Sequence, residues 1–459
     1  MAAIITTPFR VLNAENFKED VADTNNGIYL SIGKSDVWST TTSDLTDTIP
    51  FVPNDHIDDI NLAWQQLYAM QKIGAADISH VVPRHNYADG QTYVAWDSND
   101  ADIYDKSFYV ITSEFKVYKC IKQGSGVTSV QPTHTSTDPV TGGDGYTWKY
   151  MYTTTTSDSE KFLTTSFMPV KTVDEAASLA STDVDYPQQQ SQINSRNSST
   201  AAGIERIVVT SGGTFSSGSS APTVTITGDG TGATATATMN SGGTAVESIT
   251  VTAKGTDYTI ADIVFSAGDA SARAVLTPPA GHGVDPVKEL GAFYVGINVQ
   301  LDGAGGGDLT VGNDFRQIGI LKNPYNHGTT TISSAATRKA TKYLQLAAGE
   351  STSGYVVDQV LVGSSSGAKG YLVEIDTSNL RLYYYQNDKT GYTAFTQADT
   401  VTGTLPTGGS ATLDQTNSTS WYGNPEVQRG SGQFIFLENR DPINRSATQI
   451  EDIKCIIEF

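Results

Sequence analysis

NDFRQIGILKNP, residues Asn313 to Pro324, reads as a core strand. Phe315, Ile318, Ile320 and Leu321 make a short apolar run with one break in strict alternation, and Asn323-Pro324, a dipeptide that starts turns and stops strands, closes it. On either side the composition changes. Residues 200–280 are rich in Gly, Thr and Ser, and residues 349–415 are again Gly-rich. A strand of core composition between two compositionally foreign blocks points to one discontinuous domain, interrupted twice and returning to itself. The expected organisation is a core in three parts, 1–199, 281–348 and 416–459, with a linker at 172–199 and two inserted all-β domains at 200–280 and 349–415.

Charge and length narrow the function classes. The chain has 459 residues with 38% hydrophobic content, enough to bury real cores. Lys plus Arg number 29 against 49 for Asp plus Glu, a net charge of -20, and such an acidic surface repels a phosphate backbone. Nucleic acid is not an expected partner. No apolar run reaches the length of a bilayer span, and the N-terminal MAAIITTPFRVLNAENFKED lacks the basic and long apolar segments of a signal peptide. Synthesis in a cytoplasm and no membrane partner are the expectations. Cys120 in VYKCI and Cys455 in IKCII sit in strand-like apolar runs, where buried free thiols are expected.

Along the first part, IYLSI (Ile28 to Ile32) predicts a strand, and Gly33-Lys34-Ser35 turns the chain into a loop carrying Trp38, Pro50 and Pro53. From Asp55 to Ile73 the spacing of Ile57, Ile60, Trp64, Leu67 and Tyr68 predicts a helix, capped by Asn54 or Asp55 and ended by Gly74, that covers a sheet. Strands are predicted at Ile78 to Val82, Ser107 to Ile111, Phe115 to Ile121 and Tyr146 to Tyr152. The polar stretch Thr172 to Ser199 reads as a linker with one short helix near Val173 to Leu179. Dense alternation returns at Gln433 to Leu437 and at Ile450 to Phe459.

The first foreign block repeats itself. Ile207-Val208-Val209-Thr210 with Gly213 matches Ile249-Thr250-Val251-Thr252 with Gly255, and Val224-Thr225-Ile226 with Gly228-Asp229 matches Ile263-Val264-Phe265 with Gly268-Asp269. This predicts a duplicated all-β unit, a small sandwich or prism. In the second block, strands at Val356 to Val362, Gly370 to Ile375 and Leu380 to Tyr385 predict a compact barrel or meander.

No catalytic, cofactor or metal set assembles from these residues. His56, His80, His85, His134, His282 and His327 include no pair at zinc-helix spacing. Asp97, Asp100, Asp102 and Asp105 resemble a divalent-cation loop but lack its turn glycine and terminal glutamate, so a solvated acidic loop is the plainer reading. Gly142 to Gly145 and the GDGTG at Gly228 lead into strands, as turns do, and not into the helix a phosphate cradle requires. Tyr383, Tyr384 and Tyr385 offer an aromatic platform for a glycan, yet alternation sets Tyr384 with Leu380 and Leu382 as a core would. Arg84, Arg316 and Arg440 sit at strand ends in apolar segments, where a guanidinium fork ties carboxylates or loop carbonyls together, either inside the fold or across a subunit contact.

Six segments in order, IYLSIGKSDVWS, ISHVVPRHNY, VYKCI, GDGYTWKYMY, NDFRQIGILKNP and GQFIFLENRDPI, resemble the gene-eight baseplate wedge family of T-even-type contractile-tailed bacteriophages. The two foreign blocks lie outside the resemblance, and His85 to Tyr87 vary a more basic, Trp-containing pattern. The resemblance implies a virion structural subunit of the tail baseplate, with a layered β-sandwich core, helices in its long loops, a homodimeric state and contacts to other wedge proteins. It brings no catalytic residue and no cofactor. It marks Gly33, Trp38, Pro83, Arg84, Trp148, Phe315, Arg316, Gln317, Pro324, Asn439 and Arg440 as fold or contact positions. Of these, Trp38, Arg84, Trp148, Arg316 and Arg440 are the expected structural or interface residues. The other function classes are a host-surface adhesin whose inserted domains hold glycans, and a carbohydrate-active enzyme, which needs two carboxylates at a set separation.

Overall fold

The computed structural model describes residues 4–39, 47–173, 185–198, 202–301, 309, 311–405, 408–446 and 450–459, and it is mainly β, with several antiparallel sheets and few helices. The chain divides into two compact units. One comprises Met1–Asn16, Ser79–Gly296 and Ile456–Phe459, the other Phe17–Ile78 and Ile297–Cys455.

In the second of these units the strand Asp314–Lys322 lies between Ile28–Gly33 and Gln433–Asn444, in a five-stranded sheet completed by Leu67–Lys72 and Thr337–Lys339. Ile320 faces Leu30 on one side and Phe436 on the other. The broken alternation of this segment has a physical cause. Its register against Gln433–Asn444 shifts at Phe315/Gln317 and again at Ile320/Leu321, so successive apolar residues fall out of step, and every residue from Phe315 to Leu321 is buried. The predicted helix is shorter than its periodicity: it spans Ile57–Gln66, with the His56 side chain accepting the Asp59 N–H, and the chain continues as the strand Leu67–Lys72. Leu67 and Tyr68 suit a helical stripe equally well, but pairing with Ile28–Gly33 satisfies their backbone and buries Leu67 to Met70 completely. Trp64 still packs on the sheet, against Tyr29, Leu67, Met70 and Leu321.

The second foreign block joins a seven-stranded antiparallel sheet with Lys342–Gln345 and Tyr422–Gly423; only Val360–Gly363, Lys369–Asp376 and Arg381–Tyr385 form a run of three as in the expected meander, other neighbours are reached by crossovers, and the sheet order shows no barrel. Its two ends meet: Leu346 bridges Leu413, and the Asp414 N–H donates to the Gln345 carbonyl at 3.0 Å. One face packs Leu344, Leu361, Leu372, Leu382, Tyr384 and Val401 together.

In the other unit, Tyr109–Ile111, Lys116–Lys122, Thr147–Thr153 and Val140–Thr141 form a sheet, with Cys120 opposite Trp148. Cys120 and Cys455 are both buried free thiols. The strands of the first foreign block form one four-stranded and one two-stranded antiparallel sheet. Strands Val224–Gly228 and Ala261–Phe265, equivalent in the repeat, pair antiparallel with Thr225 opposite Val264, the two positions that match in sequence. The outer strands are exchanged between repeats: Ile207 pairs Ala274 and Val209 pairs Ala272, while Ile249 pairs Ala237 and Val251 pairs Ala235. Neither repeat completes its own sheet. The block begins and ends at one point, where Gly203 and Thr277 exchange hydrogen bonds through the Thr277 N–H and hydroxyl at 2.9 and 3.0 Å.

The polar stretch before this block carries a helix at Tyr186–Asn197, whose Ser195 hydroxyl donates to the Tyr150 carbonyl at 2.9 Å. The short helix expected near Val173 to Leu179 falls, from residue 174 on, outside the described residues.

Candidate functional site

Two of the five expected residues, Trp38 and Arg316, converge on one carboxylate, and a third, Arg440, is tied to Trp38. The loop after Ile28–Gly33 brings Asp47 beside the sheet, where its Oδ1 accepts the Trp38 backbone N–H at 3.0 Å and the Arg316 Nε at 2.8 Å, and its Oδ2 accepts Arg316 Nη2 at 2.8 Å. Arg316 also donates to the Ser35 carbonyl at 2.5 Å and to Asp314 at 3.0 Å, which uses its whole fork. The Trp38 indole N–H donates to the Arg440 carbonyl at 2.9 Å, so Arg440 contributes through its backbone while its guanidinium stays half-exposed, 3.8 Å from Glu438. Burial disfavours an ionised Asp47, but the Arg316 and Trp38 hydrogen bonds outweigh it and hold the carboxyl below its ordinary range.

The same loop is fastened a second time. Asp36, only 3% exposed, accepts Lys34 Nζ at 2.9 Å, Lys389 Nζ at 2.7 Å and the Tyr385 hydroxyl at 2.5 Å, and Tyr385 in turn accepts the Asp36 N–H at 3.1 Å. Burial raises the Asp36 carboxyl, yet the two ammonium groups win and it stays ionised. The supposed glycan platform is therefore occupied: Tyr385 faces Asp36, Tyr384 lies in the core cluster, and Tyr383 lies tilted against Tyr343.

What this doubly anchored loop presents is apolar. Ile49 is 91% exposed, Val52 82%, Ile57 75% and Phe51 47%. Phe51 leans edge-on against Trp38 at 5.2 Å, and its carbonyl accepts the Asn439 side chain at 3.1 Å. Sequence reasoning missed this patch, although the signal was present: the run Ile49-Pro50-Phe51-Val52-Pro53 places three large apolar residues where two prolines forbid both helix and central strand.

Arg84 and Trp148 belong to the other unit and do not join this constellation. Arg84 ties a turn, donating to Asn86 and to the Thr164 carbonyl, each at 2.7 Å. Trp148, 2% exposed, stacks on Tyr146 at 5.9 Å and meets Tyr93 edge-on at 5.6 Å. Nearby, Lys119 and Glu289 form a fully buried pair at 3.0 Å, with His282 between Glu289 and Glu205. Burial opposes ionisation of Glu289, but Lys119 and His282 overcome it and set the carboxyl at about 2. A carboxylate so paired holds no proton to donate near neutrality, so it ties the fold and does not serve as a general acid. The acidic run departs from a solvated loop at its first member: Asp97 accepts Arg273 at 2.8 and 2.5 Å and Arg206 at 3.3 Å, while Asp100 pairs with Lys106.

Comparison with known proteins gives one family. The chain matches the model described as Bacteriophage T4, Gp8, over residues 3–135 and 373–459. No curated protein matches it. The matched residues include Trp38, Asp47, Arg84, Tyr385 and Arg440, and exclude Trp148, Arg316 and the duplicated block.

Proposed function

Because the chain belongs to the phage Gp8 family of tail baseplate wedge proteins, we propose that it works as a non-catalytic scaffold, a homodimer that joins neighbouring wedge proteins and passes on their rearrangement when the tail contracts. Its place is the virion baseplate, after synthesis and assembly in the host cytoplasm. The exposed apolar segment Ile49 to Ile57 is the observation that carries the contact role. Large apolar side chains on a loop tied at both Asp36 and Asp47 are pre-ordered, so covering them gains about 1 to 2 kcal/mol each with little ordering cost. The charged rim of Asp55, Asp58, Glu438 and Arg440 would then set orientation more than affinity. Because Asp47 is bound to Arg316 on a central strand, a pull on this loop reaches the sheet directly.

Electron microscopy of the native particle tests the reading. Density for this chain is expected in the ring of wedge subunits, with the Phe51 segment covered by a neighbour; a position in an external fibre or spike would overturn it. Light scattering should give about twice 48.9 kDa. Phe51→Ser with Val52→Ser should keep the unfolding midpoint and lose either the dimer or baseplate incorporation, which identifies the contact the patch makes.

A further inference from the structure

Tyr258 stands on a bed of glycines. A β-carbon at Gly230 would lie 2.4 Å from its ring and one at Gly255 2.7 Å, so only glycine lets the ring pack there. Asp229, between the glycines of the same GDGTG turn, accepts the Thr259 N–H at 2.9 Å, the Ile260 N–H at 3.0 Å and the Thr259 hydroxyl. The turn thus fixes the loop that bears Tyr258. With Trp96, Tyr104, Asp97 and Asp100, Tyr258 lines a cavity of 330 Å³. Its outer wall is the duplicated block, pinned by the double arginine clamp on Asp97 and by the Ser98 hydroxyl, which accepts the Leu276 N–H at 3.0 Å.

The lining decides the ligand class. Among the described residues no lysine, arginine or histidine lines the cavity, which removes the attraction an anion needs. Its carboxylates are already neutralised, Asp97 by Arg206 and Arg273 and Asp100 by Lys106, which removes the attraction a cation needs. What remains is aromatic surface, carboxylate lone pairs, and the phenols of Tyr104 and Tyr258, neither of which has a hydrogen-bond partner among the described residues. Apolar walls with a few polar groups are the usual make-up of a small-molecule site, and this volume is at the lower end of the usual range. We propose that the cavity binds an uncharged hexopyranose ring, its C–H face against the aromatic side chains and its hydroxyls on the two phenols and the carboxylate oxygens. The proposal stands apart from the scaffold role, since a wedge subunit needs no sugar site.

Saturation-transfer NMR on the full chain, with glucose, galactose, N-acetylglucosamine and rhamnose at millimolar concentration, tests it. Saturation of the ring protons of at least one sugar is expected. Tyr104→Phe and Tyr258→Phe remove only a hydroxyl each, and each should weaken binding about fivefold with thermal unfolding unchanged. Transfer to none of the four sugars would overturn the proposal. So would a signal that survives the double variant, or one that disappears on replacing the exposed Tyr422 instead.

Discussion

Arg316 grips Asp47 through two parallel hydrogen bonds, Nε to Oδ1 and Nη2 to Oδ2, both at 2.8 Å, across 269 residues of sequence. The arginine side chain is 4% exposed and keeps Asp314 and the Ser35 carbonyl as partners if Asp47 is lost. Asp47→Asn should therefore cost about 1 to 2 kcal/mol in urea unfolding, and Asp47→Ala about 2 to 4, because the Trp38 N–H then loses its acceptor as well. Limited proteolysis supplies a second readout, since the untied loop should be cut between Ile49 and Ile57. An Asp47→Ala protein with the parental midpoint and an uncut loop would contradict the anchoring.

Asp358 gives the fold a pH dependence. Burial pushes its carboxyl up to about 7, although the Asp314 N–H, 3.1 Å from Oδ2, pulls the other way, and its Oδ1 has no partner among the described residues. A folded value above the ordinary 3.8 means the stabilising contribution is complete below about pH 4 and is lost as pH rises toward 7. The loss is on the order of 4 kcal/mol by linkage. Asp358→Asn should flatten the stability profile between pH 4 and 7 and be the more stable protein above pH 7. Parallel profiles for the two proteins would refute the assignment.

Gly319 marks the tightest point of the central strand. A β-carbon there would meet Phe434 at 2.7 Å and the Ser31 hydroxyl at 2.8 Å, both on flanking strands that hydrogen bonds hold in register. Gly319→Ala should destabilise by about 1 to 3 kcal/mol through overpacking, where an exposed strand glycine would gain from the same change. Chemical denaturation measures this. The smaller Phe434→Leu in the same background should recover part of the loss if the clash is the cause.

How much of this was legible depended on sequence distance and on polarity. Phe315, Ile318 and Ile320 announced a core strand because burial on both faces needs apolar residues in a row. The end of the helix at Gln66 was not legible, because Leu67 and Tyr68 fit both periods and only pairing with Ile28–Gly33 decides between them. The helix Tyr186–Asn197 was invisible because its buried residues, Gln192 and Ser195, are polar and are paid for by hydrogen bonds to Lys171 and Tyr150 carbonyls. A strand-end position picked out Arg316 and the family resemblance picked out Trp38, but neither pointed to Asp47, Asp36 or Glu289. An acidic residue looks the same in a sequence whether its partner is water or a lysine 170 positions away, as Lys119 is from Glu289.

The duplicated block offers the sharpest test of modularity. Gly203 and Thr277 already touch, so replacing Ile204 to Pro279 by a short Gly/Ser bridge requires no movement of the flanking chain. The block also carries its own apolar cluster, built from Ile204, Ile207, Tyr258, Ile263 and Ala274. We propose that it is an insertion whose removal spares cooperative unfolding of the rest. The deletion nevertheless strips Arg206 and Arg273 from Asp97, Val275 from the neighbouring core cluster, and Glu205 from the Lys119–Glu289–His282 group. Orphaning Asp97 beside Trp96 should dominate, at about 2 kcal/mol or more. Hence the deleted protein should unfold in one transition at lower urea, and Asp97→Asn, harmful in the full chain where it breaks both arginine contacts, should be neutral or stabilising in the deletion. A broad, non-cooperative transition would show the block to be part of the core. A sharp one in which Asp97→Asn is equally harmful in both backgrounds would keep the insertion and discard the clamp as its fastening.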